Sequence, residues 1–93
     1  MLAPMLFMVI EHFKDVAAIG ERFQRKGRML PDGVVFHASW VEPGGGRCYQ
    51  VMEAASAEAL GPWIDAWDDL ADFEVIPVLT SADFWAARSK PRT

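Results

Sequence analysis

Cysteine is nearly absent: the single Cys48 cannot form an internal disulfide, and a free thiol among five methionines fits a reducing cytoplasm better than a secreted scaffold. Long apolar runs are missing too, which excludes a membrane-spanning helix. There is no basic excess. Nine Lys and Arg against thirteen Asp and Glu leave a net charge of −4 and a pI near 5.0, which disfavours nucleic acid and anionic lipid as partners. Only two histidines occur, His12 and His37, and no His, Cys and carboxylate cluster has metal-ligand spacing, so no metal site is expected. The start Met1 to Ile10 lacks a basic n-region, contains Pro4 and meets Glu11 and Lys14 too early for a signal peptide. It reads as a lead into the first strand, with Met5 a second candidate start.

What is present is apolar and aromatic. With 93 residues, 52% of them hydrophobic, four Trp and six Phe, the chain is one folded domain, residues 1–93. A chain of this length buries only about 60 to 65% of its unfolded surface, so this composition suggests self-association.

Met5 to Glu11 is a short apolar run, read as a strand buried on both faces. From Asp15, a capping residue, Val16, Ile19, Gly20, Phe23, Gly27 and Leu30 recur at helical spacing, with Arg25, Lys26 and Arg28 at the C-terminal end and Pro31-Asp32-Gly33 as the stop. Val34 to Glu42 and Arg47 to Ala54 are strands joined by Pro43-Gly44-Gly45-Gly46, which is a turn and not a phosphate cradle because it opens no helix. Setting Glu42 opposite Arg47 pairs Trp40 with Tyr49, Ala38 with Val51 and Phe36 with Glu53 on one face, and Val41 with Cys48, Ser39 with Gln50 and His37 with Met52 on the other. Ser56 caps a second helix with an apolar stripe at Leu60, Trp63, Ile64, Trp67 and Leu70, and Pro62 in its first turns. Phe73 to Leu79 is a last strand, placed at an edge or bulge by Pro77. Ser81 to Lys90 forms a short terminal helix, and Lys90 to Thr93 a loose tail.

The β-α-β-β-α-β order predicts an α+β, ferredoxin-like fold: a four-stranded antiparallel sheet, order 4-1-3-2, with two helices on one face. The other face needs a cover, and a second copy of the chain supplies it.

The stretches Met5-Leu6-Phe7-Met8-Val9-Ile10-Glu11, Gly27-Arg28-Met29-Leu30-Pro31, Ser39-Trp40-Val41, Arg47-Cys48-Tyr49-Gln50-Val51-Met52-Glu53, and Trp67-Asp68-Asp69-Leu70 with Phe73-Glu74-Val75-Ile76-Pro77-Val78 resemble the DUF3303 family of small bacterial proteins. The likeness spans residues 5–80, leaving 81–93 as a tail. It implies a dimeric α/β-barrel and no established activity, since that wider group includes cofactor-free monooxygenases, isomerases, haem-dependent enzymes and binding proteins. The chain has no asparagine, so the Asn-Trp-His constellation of haem-degrading members cannot be assembled, and no cofactor is implied.

The predicted register puts His37, Ser39 and Gln50 on one strip among apolar neighbours, the wall of a ligand pocket, with His37 the candidate acid or base and Trp40 and Tyr49 near the ligand. Locally satisfied histidines and packed aromatics are the commoner case. Cys48 and Arg47, adjacent on a strand, point to opposite faces, which favours a buried structural thiol over a nucleophile. Glu11 and Glu53 close apolar strands, as bases or gates at a cavity mouth or as solvated strand-end acids. Arg22, Arg25, Lys26 and Arg28 face an acidic series, Asp65, Asp68, Asp69 and Asp72, for mutual neutralisation. The leading expectation is a cytoplasmic homodimer binding a small apolar or aromatic molecule; the alternatives are a cofactor-independent monooxygenase-like or isomerase-like enzyme and a non-catalytic structural or adaptor dimer.

Overall fold

The computed structural model describes residues 4–89; the expected lead at Met1 to Ala3 and the tail at Lys90 to Thr93 lie outside them. The chain is α+β. It runs β1 (Met5–Phe13), α1 (Val16–Lys26), β2 (Val35–Val41), β3 (Arg47–Ala54), a 3₁₀ turn (Glu58–Leu60) leading into α2 (Gly61–Trp67), β4 (Ala71–Val78) and α3 (Ser81–Arg88). The four strands form an open antiparallel sheet in the order β2-β3-β1-β4. Pro77 sits in β4 at the sheet edge, where its missing N–H costs no ladder bond.

Helices α1 and α3 each start where a short polar side chain can take an orphan amide. Asp15 accepts from Ala18 N–H at 3.0 Å, and Thr80 accepts from Asp83 N–H at 3.0 Å to open α3. Ser56 accepts from Ala59 N–H at 3.3 Å, but the turn it opens is 3₁₀. The α-helix begins only at Gly61, with Pro62 in its first positions, where a missing N–H is tolerated.

Helix α1 ends earlier than its apolar spacing suggests. Gly27, φ 67°, caps it with its N–H on the Phe23 carbonyl, so Gly27 and Leu30 do not continue the helical stripe. Met29 follows at φ 59°, uncommon for a residue with a side chain. The two left-handed residues turn the chain back over the sheet, carrying Arg28 with them.

Strand alternation builds the core. Phe7, Val9, Met52 and Ala54 face the helices and pack with Leu60, Trp63 and Trp67. Trp63 meets Phe73 edge-on with ring centroids 5.4 Å apart. The opposite face carries Met8, Ile10, Val51 and Ile76, with Trp40 left 58% exposed.

The hairpin register holds over four of its expected rungs and then slips. Val41 opposes Cys48, Trp40 Tyr49, Ser39 Gln50 and Ala38 Val51, but a bulge at His37 moves Phe36 opposite Met52 and Val35 opposite Glu53. The bulge turns the large apolar Phe36 onto the helix-covered face. The predicted His37–Met52 and Phe36–Glu53 pairs therefore do not form.

Candidate functional site

A cavity of about 310 Å³ lies between α1, α2 and the covered face of the sheet. Its walls are apolar, built from Val16, Ile19 and Phe23 on α1, Trp63 and Trp67 on α2, and Val41 on β2. Its polar groups come from adjacent strand rungs and the loop after α1.

Alternation places Glu11 in phase with Phe7 and Val9, so it points inward and is only 5% exposed. Cys48 lies directly opposite it, and Gln50 pairs with Val9 one step away along the cavity-facing positions. The Gln50 side chain donates to a Glu11 carboxyl oxygen and accepts from Arg28 Nη1 at 2.8 Å. One amide thus bridges an acid and a cation. Ser39, across from Gln50 on β2, adds a hydroxyl to the lining.

Arg28 is held by rings as well. Its guanidinium carbon lies 3.7 Å from the Phe36 ring centroid and 5.2 Å from that of Phe23, distances at which the ring face attracts a cation. Its backbone carbonyl accepts from Trp67 Nε1 at 3.1 Å, tying the loop to α2. The other buried indole, Trp63, has an N–H without a hydrogen-bond partner among the described residues.

Burial sets the protonation states. Removing Glu11 from water pushes its pKa up to about 7, against the opposing pull of Arg28 and the Cys48 thiol. Burial likewise raises the Cys48 thiol to about 11, with Glu11 adding to the effect. Burial lowers the Arg28 pKa from the ordinary arginine value, opposed by Cys48 and Glu11. A carboxyl poised near neutrality can give or take a proton; a thiol this high stays protonated and is a poor nucleophile.

Of the residues singled out from the sequence for ligand binding, the structure brings Ser39 and Gln50 together at the cavity, beside Glu11, Cys48 and Arg28. It does not bring His37, Trp40 or Tyr49 there. The bulge turns His37 to the opposite sheet face, where Nε2 lies 2.9 Å from Glu53 Oε1. Trp40 and Tyr49 oppose each other on that same face, but their rings form no stacked pair among the described residues. Tyr49 instead donates to Glu42 at 2.6 Å, beside the expected Arg47–Glu42 ion pair at 3.0 Å. The basic and acidic series meet in part: Arg22 binds Asp69 through two hydrogen bonds of 2.7 Å, while Asp72 is reached at 3.3 Å by Lys14, which lies outside that basic series. Arg28 leaves that series for the cavity.

The family model for DUF3303, a domain of unknown function, matches residues 5–91. This chain belongs to the DUF3303 family. The match takes in α3, which lies beyond the stretches that carry the resemblance in sequence. Searches of curated proteins and of solved structures found no significant match. No helix among the described residues of this DUF3303 chain is long and apolar enough to cross a membrane, and no group of three or more His, Cys, Asp and Glu that could hold a metal ion occurs among them.

Proposed function

We propose that this DUF3303 protein binds a small, largely apolar molecule in the cavity between the sheet and its helices. The carrying observation is an apolar chamber with a convergent Glu11–Gln50–Arg28 series at its floor, the composition by which small-molecule sites fix orientation. A cavity of about 310 Å³ is at the lower end of the range for such sites, and weighs against a purely structural or adaptor role. Titration with indole, followed through the Trp63 and Trp67 indole N–H signals by NMR, tests the reading. Saturable shifts there and at Gln50, with Trp40 unmoved, support it; shifts confined to the open sheet face, or none at millimolar indole, contradict it.

The proposed assembly is a cytoplasmic homodimer of ferredoxin-like βαββαβ subunits forming an α/β-barrel. The order β2-β3-β1-β4 is 4-1-3-2 read from the other edge, which supports that subunit. A four-stranded face of eight-residue strands covers about 500 Å². Two copies stacked there bury about 1,000 Å², close to the least a specific interface needs. Helix α3 packs little on its own chain and holds Trp85 61% exposed. It contributes to a radius of gyration of 15.5 Å, where a compact chain of this length has about 12 Å.

A second reading is catalytic, an isomerase-like or monooxygenase-like proton transfer without cofactor. Glu11, with a pKa of about 7, favours it and takes the acid or base role expected of His37, which lies on the opposite sheet face beside Glu53. Glu11-dependent exchange of carbon-bound deuterium on a bound ligand supports this reading. A wild-type protein that binds and never exchanges contradicts it.

A further inference from the structure

We infer that the molecule this cavity takes is a carboxylic acid bound as its carboxylate, with its apolar body against Phe23, Trp63 and Trp67 and its carboxylate on Arg28. This deepens the ligand-binding reading and rests on it.

Arg28 is the one cationic residue lining the cavity and takes part in no ion pair among the described residues. A guanidinium carries five N–H donors. One donor of Arg28 goes to Gln50. Aromatic rings occupy its surroundings at Phe36 and Phe23, and stacking against a guanidinium face leaves its planar edge free for two parallel hydrogen bonds. That fork fits a carboxylate. A single cation in an apolar chamber matches a monoanion and leaves a phosphate dianion half neutralised.

Glu11 sets the condition for this binding. Two carboxylates sharing one site cannot both be ionised cheaply, so the ligand's charge favours the protonated form of Glu11. The charged and titratable groups lining the cavity are Glu11 from β1, Arg28 from the loop after α1 and Cys48 from β3; α1, α2 and β2 contribute none. Cys48, raised to about 11, stays neutral through the physiological range. With Glu11 at about 7, carboxylate binding is full below neutrality and weakens as Glu11 ionises, with uptake of one proton above it.

The test compares indole, indole-3-acetamide and indole-3-acetate on the full chain by calorimetry. The acetate is expected to bind about tenfold or more tighter than the amide at pH 6.5. Its affinity should then fall by up to about tenfold per pH unit above 7 while the amide changes little. Arg28→Gln should remove the preference for the acetate over the amide. Equal affinities for acetate and amide, or a pH-independent acetate preference, overturn the inference and leave the cavity reading standing if indole binds. Failure of indole to bind defeats that underlying reading. Should Arg28→Gln not fold, the acid-to-amide ratio and its pH dependence on the wild-type protein decide alone.

Discussion

Glu11 and Arg28, an acid and a cation, share one cavity and do not form an ion pair; the side-chain amide of Gln50 stands between them, donating to the first and accepting from the second. A direct pair would satisfy both charges and close the site. The bridged arrangement leaves a poorly solvated acid that holds its proton to about pH 7 and a cation with donors to spare.

The first prediction concerns stability against pH. The folded Glu11 carboxyl binds its proton more tightly than the unfolded one, because burial raises its pKa from 4.5 to about 7. Its contribution is therefore full below about pH 4.5 and is lost as pH rises through about 7, a swing of about 3 kcal/mol. Glu11→Gln removes the ionisable proton and retains an acceptor for Gln50. Urea unfolding should find the variant about 2 to 3 kcal/mol more stable than wild type at pH 8 and nearly equal at pH 4.5. Equal stability at both values contradicts the buried-acid account.

Backbone geometry supplies the second. Gly27 adopts φ 67° and ψ −158°, a combination nearly reserved for glycine, so Gly27→Ala should cost about 1 to 3 kcal/mol although its Cβ would meet nothing within 4 Å. Gly20 lies inside α1 with equally open space, and Gly20→Ala should stabilise by about 0.5 to 1 kcal/mol. Thermal unfolding of the two variants should move in opposite directions. Two shifts of the same sign would refute the assignment of Gly27 as the helix stop.

Cys48 provides the third. With its thiol at about 11, only about 0.1% is thiolate at pH 8. Alkylation by iodoacetamide in the folded protein should run at least about a hundredfold slower than in the urea-unfolded chain. A folded-state rate equal to the unfolded one contradicts the burial of the thiol.

The fourth addresses assembly. Ile76, 41% exposed on the edge strand of the open face, can accept a charge without disturbing the core. Light scattering should show a dimer for wild type and a monomer for Ile76→Lys at tens of micromolar, with unchanged circular dichroism. A monomeric wild type removes the proposed partner.

Much of the scaffold was legible because it follows local rules. Asp15 as cap, Pro77 at an edge and the Trp40–Tyr49 rung come from capping chemistry, the missing proline N–H and the turn at Pro43-Gly44-Gly45-Gly46. The site was legible in part. Ser39 and Gln50 lie below the bulge, where the expected register holds, and so fall on the cavity face; His37 sits at the bulge itself, which no alternation pattern reveals. Glu11 was marked as a strand-end acid, a base or gate at a cavity mouth or a solvated carboxylate, and its phase with Phe7 and Val9 carries the further signal for an inward carboxyl. Arg28 was missed as a cavity residue because its spacing continues the basic end of α1. Only the positive φ of Gly27 and Met29 shows that the helix has already ended.

The central claim is that a carboxyl buried in the cavity keeps its proton up to about pH 7. A carbon-detected NMR titration of the Glu11 side-chain carboxyl measures this directly. The account predicts a midpoint near 7. A wild-type midpoint at the ordinary glutamate value of 4.5 would contradict it.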